Sequence, residues 1–185
     1  MEDVEIVELY FKRSEKAISQ TSKKYGRLLF TISNNILNSN EDSEECVNDT
    51  YEKVWYSIPP QRPTYLSAYL GRIVRNISIN KWYKNRSQRR GGGMVVLLSE
   101  LAECLPSQKS VEEETDRRVV VRLIEHWLLT LEKEQRVLFL RRYWYGFSLE
   151  TLARENGVTV SKISGQLYRL RQKLKAELNK EGVVI

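Results

Sequence analysis

Residues 148–178 read SLETLARENGVTVSKISGQLYRLRQKLKAEL, and this stretch has the pattern of two helices joined by a tight turn. Gly157 stands where such a turn requires a left-handed residue, and Thr159 can cap the helix that follows. Leu152 and Ala153 lie on the inner side of the first helix, where the small Ala153 lets the two helices cross closely. The pattern predicts a helix-turn-helix motif. The apolar side of its second helix is formed by Ile163, Leu167, Leu170 and Leu174, with Val158 at the corner.

The outward side of that second helix has the composition of a DNA-binding surface. Residues 162–175 contain five basic residues and no acidic one, as contact with phosphates requires. Gln166 suits the edge of an adenine, and Arg169 suits a phosphate or a guanine. A helical hairpin that binds a protein partner shares the apolar pattern, but the charge pattern favours DNA. The candidate contacts are Ser161, Lys162, Ser164, Gln166, Arg169 and Arg171.

The rest of the chain also reads as helix, broken at a few points. Three of the four prolines are Pro59, Pro60 and Pro63, and alternating strand patterns are nearly absent. We expect helices over residues 25–37, from a capping Asp42 onward, and over residues 64–90 as one helix or two. Further helices are expected over residues 119–129 and 131–145, with two shorter ones flanking Gly157.

Between the two helical parts the sequence is typical of a linker. Residues 99–116 carry six acidic residues against one basic residue, together with Pro106. The apolar run MVVLL at residues 94–98 should dock on one of the two parts, because an exposed apolar run is unfavourable. The predicted fold is therefore all-α, with two small helical domains. Residues 1–92 and 119–185 form the domains, and residues 93–118 form the linker.

Composition excludes several classes of protein. The net charge of +6 and the pI of about 9.3 favour a polyanionic partner. No apolar run approaches the roughly 20 residues of a membrane span, and the acidic start MEDVEIVELY is unlike a secretory signal, so we expect a cytoplasmic protein. Cys46, Cys104 and the single His126 give no zinc-ligand spacing, and no phosphate-binding glycine motif occurs. We expect Cys46 to lie in the core and His126 on a helix surface, with no metal, cofactor or catalytic residue.

A second basic segment lies in the first half of the chain. Residues 62–90 contain eight Lys or Arg residues and no acidic residue, interleaved with Tyr65, Tyr69, Trp82 and Tyr83. Cationic charge next to aromatic rings is what single-stranded DNA needs, because the backbone is neutralised while exposed bases stack on the rings. The alternative, that Tyr69 and Trp82 are simply core aromatics, stays open.

A third signal is acidic. Residues 41–52 hold six Asp or Glu residues and no basic residue. The helix dipole accounts for acids near the start of a helix, but Asp49 lies further in. An acidic helix repels DNA, so a protein partner with basic residues is the expected ligand.

Together, these three segments resemble the extracytoplasmic-function group of bacterial sigma factors, the minimal members of the sigma-70 family, over nearly the whole chain. DSEECVNDTYEKVW at residues 42–55 resembles the family's polymerase-binding helix. YLSAYLGRIVRNISINKWYKNR at residues 65–86 is similar to its promoter-melting helix, and residues 148–174 are similar to its upstream-element helix-turn-helix. The resemblance implies core RNA polymerase and promoter DNA as partners, an anti-sigma factor as a regulator, and a monomer when free.

The resemblance also implies roles for individual residues. Asn48 and Asp49, with Glu45 and Glu52 beside them, would contact the polymerase, and the loop at residues 57–64 would capture a flipped base of the minus-ten element. The residues implied in minus-ten binding and melting are Arg62, Tyr65, Tyr69, Arg72, Arg75, Asn76, Asn80, Lys81 and Lys84. The chain departs from the family pattern at Tyr69, Thr151, Ser161, Lys162, Ser164 and Gln166. The last four departures lie in the recognition helix, so they imply either an unusual upstream element or weaker binding to phosphates there.

Two other functions compete with this one. A conventional helix-turn-helix regulator, with a first domain that dimerises or senses a ligand, leaves the acid-free residues 62–90 unexplained. A small nuclease would need clustered carboxylates to hold a metal, and residues 41–52 are the one candidate cluster.

Overall fold

The computed structural model describes residues 1–85, 93–102, 104–105 and 114–183 of the chain. Every regular element within these ranges is helical, which confirms the predicted all-α fold. The chain divides into two compact units, Met1–Met94 and Val95–Ile185. No helix among the described residues has the length and apolar character needed to cross a bilayer.

Residues 1–85 of the first unit form four helices, α1 (Asp3–Phe11), α2 (Lys16–Leu37), α3 (Asn40–Ser57) and α4 (Leu66–Asn85). The sequence pattern did not predict α1, and it placed the start of α2 at residue 25, because the first turns of α2 are largely polar. The expected Asp42 cap of α3 is wrong, since Oγ of Ser39 accepts the N–H of Asp42 at 3.3 Å and the helix starts earlier. The segment after the prolines is a single helix, α4.

Helices α3 and α4 both pack on α2, and a pair of serine side chains links α4 to α2 in the core. Oγ of Ser78 on α4 lies 2.8 Å from Oγ of Ser33 on α2, and both side chains are fully buried. Each hydroxyl is thereby satisfied where water cannot reach it. Cys46 is completely buried, as expected. The apolar stripe of α2 supplies Leu29, Ile32 and Ile36, and α4 supplies Leu66, Leu70 and Val74.

The second unit contains all but the first two residues of α5 (Gly93–Ala102), followed by α6 (Glu114–Thr130), α7 (Lys133–Phe139), α8 (Leu149–Glu155) and α9 (Val160–Lys180). A π-helical turn, Leu140–Trp144, continues α7. The range expected as a linker thus holds a helix, α5, whose Leu97 is 3% exposed in the core of the second unit, next to Trp127 and Cys104. The MVVLL run therefore docks on the C-terminal part of the chain through Leu97.

The predicted helix-turn-helix is confirmed in α8 and α9. Gly157 has a φ of 62°, and the side chain of Thr159 accepts the N–H of Lys162 at 3.2 Å. Leu152 and Ala153 are buried against α9. Helix α9 has 21 residues rather than being short, because its apolar stripe runs on to Leu178. The four predicted stripe residues Ile163, Leu167, Leu170 and Leu174 are all buried.

Candidate nucleic-acid and polymerase interfaces

Most candidate DNA contacts of α9 point away from the second unit's core. Ser161, Lys162, Ser164 and Arg169 are exposed, and Gln166 is half-buried. Lys162, Gln166 and Arg169 lie along one groove between α7 and α9, because residues three and four apart on a helix share a side. Two further residues of this helix are not among the predicted contacts: Lys173 lines the same groove, and the side chain of Tyr168 is 52% exposed.

Arg171 is the exception among the candidate contacts of α9. Its guanidinium donates to Oη of Tyr143 at 2.6 Å and lies 3.6 Å from the carboxylate of Glu100. The side chain is only 12% exposed. Position 171 neighbours the buried stripe at Leu167 and Leu174, so its side chain turns inward. In this structure Arg171 belongs to a buried polar cluster rather than to the outward side of α9.

This cluster, the Glu100 network, consists of Glu100, Arg142, Tyr143 and Arg171. Arg142 donates to both carboxylate oxygens of Glu100, with Nε at 3.2 Å from Oε2, and to the carbonyl of Phe147 at 2.9 Å. Tyr143 donates to Glu100 at 2.9 Å. Burial alone would raise the pKa of Glu100, but the hydrogen bonds and charges of Arg142, with smaller contributions from Tyr143 and Arg171, lower it. Glu100 is therefore a carboxylate that holds α5 on the rest of the second unit.

In the first unit, α4 presents a regular polar stripe. Arg72, Asn76, Asn80 and Lys84 are all exposed and recur every four residues, so they lie on one side of the helix. Tyr65, one residue before α4, is 74% exposed. Cationic, amide and aromatic groups therefore follow one line, which we call the α4 stripe, and together they can hold a nucleic-acid strand.

Tyr69 joins the α4 stripe to the loop at residues 57–64. Its hydroxyl lies 2.8 Å from Oγ of Ser57 and 2.9 Å from Oε1 of Gln61, and the guanidinium of Arg72 lies 5.6 Å from its ring centroid. Tyr69 and Trp82 are both half-buried, so neither is a fully enclosed core aromatic. Tyr69 therefore fixes the edge of the expected base-capturing loop.

Three other candidate DNA contacts of the first unit are occupied by protein groups or partly buried. Arg62 pairs with Glu8 at 2.5 Å and lies over the ring of Phe11 at 4.2 Å. Burial lowers the pKa of the half-buried Arg75 from its ordinary value. Lys81 pairs with acidic residues of α3, so it joins the basic helix to the acidic one.

Lys81 of α4 forms ion pairs with two acidic residues of α3. Its ammonium lies 3.2 Å from Asp42 and also contacts Glu45, and its side chain is 19% exposed. Burial alone would lower the pKa of Lys81, but the two carboxylates raise it overall. Lys81 therefore stays charged and neutralises part of the acidic segment.

The candidate polymerase-binding residues are presented to solvent on α3. Glu45, Asn48, Asp49 and Glu52 are all exposed. Asn48 and Glu52 also line a shallow groove between α2 and α3 that contains Ile18, Trp55 and Tyr56. The sequence pattern did not indicate that Trp55 and Tyr56 belong to this surface. A surface with apolar and aromatic groups beside carboxylates can bind a basic helical partner.

No group of metal-binding side chains occurs among residues 1–85, 93–102, 104–105 and 114–183. His126 is exposed on α6, as expected for a helix-surface imidazole. The acidic residues of α3 are spread along the helix and in part neutralised by Lys81, so they offer no metal-ion cage.

Comparison with known proteins gives two family matches. Residues 22–88, which include most of α2 and all of α3 and α4, match the model of Sigma-70 region 2. Residues 122–174, from α6 into α9, match the model of Sigma-70, region 4. No curated protein sequence matches the chain. A solved structure, CnrH in complex with the cytosolic domain of CnrY, is similar at 19% identity with a TM-score of 0.44, and the alignment covers 96% of this chain and 97% of that one.

Proposed function

Because the chain belongs to the sigma-70 family, we propose that it acts as a factor of the extracytoplasmic-function group: it binds core RNA polymerase, recognises the minus-ten and minus-thirty-five promoter elements and promotes DNA melting. The observation that carries this proposal is the presence of both family regions on one chain, one bearing the acidic α3 and the basic α4, the other the helix-turn-helix. Members of this family are transcription initiation factors rather than enzymes, and we propose the same role for this chain. We place its action in the cytoplasm, where the polymerase is.

Polymerase binding is assigned to the exposed side of α3. Asn48, Asp49 and Glu52 face solvent, and no basic side chain from the same segment competes for them. Glu45 contributes as well, although it shares its carboxylate with Lys81. Charge complementarity with a basic helix of the polymerase would steer the association and fix its orientation.

Minus-ten recognition is assigned to the α4 stripe and the loop at residues 57–64. Arg72 and Lys84 would neutralise the strand backbone, while Asn76 and Asn80 offer hydrogen bonds and Tyr65 offers a ring for stacking. Opening duplex DNA costs about 1.4 kcal/mol per stacked step, which captured bases and strand contacts can offset without nucleotide hydrolysis by this chain. Arg62, Arg75 and Lys81 would support this surface, and Arg62 and Lys81 would reach DNA only by exchanging their acidic partners.

Minus-thirty-five recognition is assigned to the outward side of α9. Lys162 and Arg169 would contact phosphates or guanine, and Gln166 an adenine edge, with Ser161 and Ser164 as small hydrogen-bonding neighbours. Replacing Gln166 by Ala should change the preferred upstream sequence without changing the minus-ten preference. A binding-site selection that returns the same upstream sequence would contradict this role.

The decisive experiment is run-off transcription with purified bacterial core polymerase on fragmented genomic DNA, with and without this protein. Discrete new transcripts are expected only when the protein is present. No transcripts, together with a shift of specific duplex DNA by the protein alone, would instead favour the conventional regulator. Cleavage of labelled DNA in the presence of magnesium would indicate a nuclease. As the family resemblance implies, we propose an anti-sigma factor as regulator and a monomer as the free state.

A further inference from the structure

A glycine lies inside the recognition helix, on the side that faces away from the core. Helix α9 buries Ile163, Leu167, Leu170 and Leu174. At 3.6 residues per turn, Gly165 falls on the opposite side of the helix. Glycine is, after proline, the poorest helix former, so a glycine at this position weakens the helix unless another requirement favours it.

The fold itself does not require this glycine. A Cβ atom added to Gly165 would meet only a guanidinium nitrogen of Arg169 at 3.8 Å, which is an ordinary van der Waals contact. Gly26 in α2 is different, because a Cβ there would lie 3.2 Å from the hydroxyl of Tyr51 on α3. Packing therefore explains Gly26, whereas no packing contact in the described part of the chain requires a glycine at position 165.

The surroundings of Gly165 indicate what approaches it. Ser161 lies one turn before it, and Tyr168 and Arg169 lie one turn after it, all three exposed. The missing side chain leaves a notch between them, and Gly165 itself is partly exposed. Because residues 162–175 carry no acidic side chain, the notch suits a polyanionic duplex.

We propose that Gly165 is the point of closest approach between α9 and the major groove of the minus-thirty-five element. This inference rests on the proposed function. A base-pair edge would enter the notch and contact the backbone at Gly165, while Arg169 donates to a guanine or a phosphate beside it. The ring of Tyr168 would pack against the sugar or a thymine methyl on the other side of the notch. Any side chain at position 165 would hold the helix away from the base pair.

The test is Gly165→Ala, with Asn179→Ala as its matched control. Both substitutions replace a poor helix former by alanine in α9, and Asn179 is exposed near the end of the helix, away from the notch. Both should raise the Tm of the protein, Gly165→Ala by about 2–6 °C. Only Gly165→Ala should weaken holoenzyme binding to a promoter found by run-off transcription, by about tenfold, the effect of losing one good base contact. The loss should disappear when the upstream element of that promoter is scrambled.

The outcomes separate this inference from the function on which it rests. Wild-type promoter affinity for Gly165→Ala would overturn the inference and leave the sigma-factor function standing. A lowered Tm for Gly165→Ala would also overturn it, because the glycine would then serve the fold. If the wild-type holoenzyme produces no transcripts at all, the proposed function fails and the inference fails with it.

Discussion

Replacing Glu100 by Gln should lower the stability of the second unit, because the carboxylate of Glu100 is the shared acceptor of the Glu100 network. Arg142 donates two hydrogen bonds to it, Tyr143 donates a third, and Arg171 lies 3.6 Å away. The amide of Gln keeps the shape of the side chain but removes its charge. The guanidinium groups of Arg142 and Arg171 would then lose the carboxylate that they share.

The size of the effect follows from burial. The side chain of Arg142 is 7% exposed and that of Glu100 is 19% exposed. Removing one partner of a buried ion pair typically costs about 3–5 kcal/mol, and the partial exposure of Glu100 places the expected loss near the lower end, about 3 kcal/mol. A loss of that size corresponds to about a hundredfold increase in the open population of the second unit.

Amide hydrogen exchange, resolved by peptide, measures this loss in the full-length protein. Peptides from α6, α7 and α9 should lose about a hundredfold of protection, while peptides from the first unit should keep theirs. Glu125→Gln on α6 is the matched control, because it makes the same change of charge at an exposed position. Equal protection in Glu100→Gln and Glu125→Gln would refute the assigned role of the Glu100 network.

The loss of stability caused by Glu100→Gln should depend on pH. Hydrogen bonds and charges from Arg142, Tyr143 and Arg171 outweigh the effect of burial and lower the pKa of Glu100 in the folded protein below its ordinary value of 4.5. The stabilisation by the ionised form is therefore complete above about pH 4.5 and is lost as the pH falls through the lower folded pKa. The difference between wild type and Glu100→Gln should be constant near neutral pH and shrink in acid. A difference that grows in acid would contradict the role of Glu100 as a carboxylate.

Three further substitutions test other parts of the molecule. Asp49→Arg should abolish polymerase binding in a pull-down with core enzyme, because it places a positive charge on the acidic side of α3. The circular dichroism spectrum should stay unchanged. Unchanged affinity would exclude this side of α3 as the polymerase-binding surface. Lys81→Met should lower the free energy of unfolding by about 1 kcal/mol in urea, since it removes the ion pairs with Asp42 and with the largely exposed Glu45. A stability equal to that of wild type would show that these ion pairs do not stabilise the first unit. Thr159→Ala should cost about 1 kcal/mol by thermal denaturation, because it removes the cap of α9, whereas Thr159→Ser should retain most of the stability.

Local sequence pattern predicted the helix-turn-helix almost completely. Gly157, Thr159 and the apolar stripe of α9 act over one or two turns, so their spacing specifies turn, cap and buried side. The residues of the α4 stripe were instead implied by the family resemblance. Local pattern failed for α1 and for the start of α3, because short polar helices and competing caps such as Ser39 and Asp42 leave little apolar periodicity to read.

The sequence by itself determined the helical class, the two-part organisation, the recognition helix and the opposite charges of α3 and α4, because these properties depend on residues close together in the chain. Only the tertiary structure decided which charges meet. It turned Arg171 inward to Glu100, paired Lys81 with Asp42 and placed Leu97 of the expected linker in the second core. The strength of an ion pair depends on the distance between the two charges and on their burial. For residues far apart in sequence, both are set only when the chain has folded.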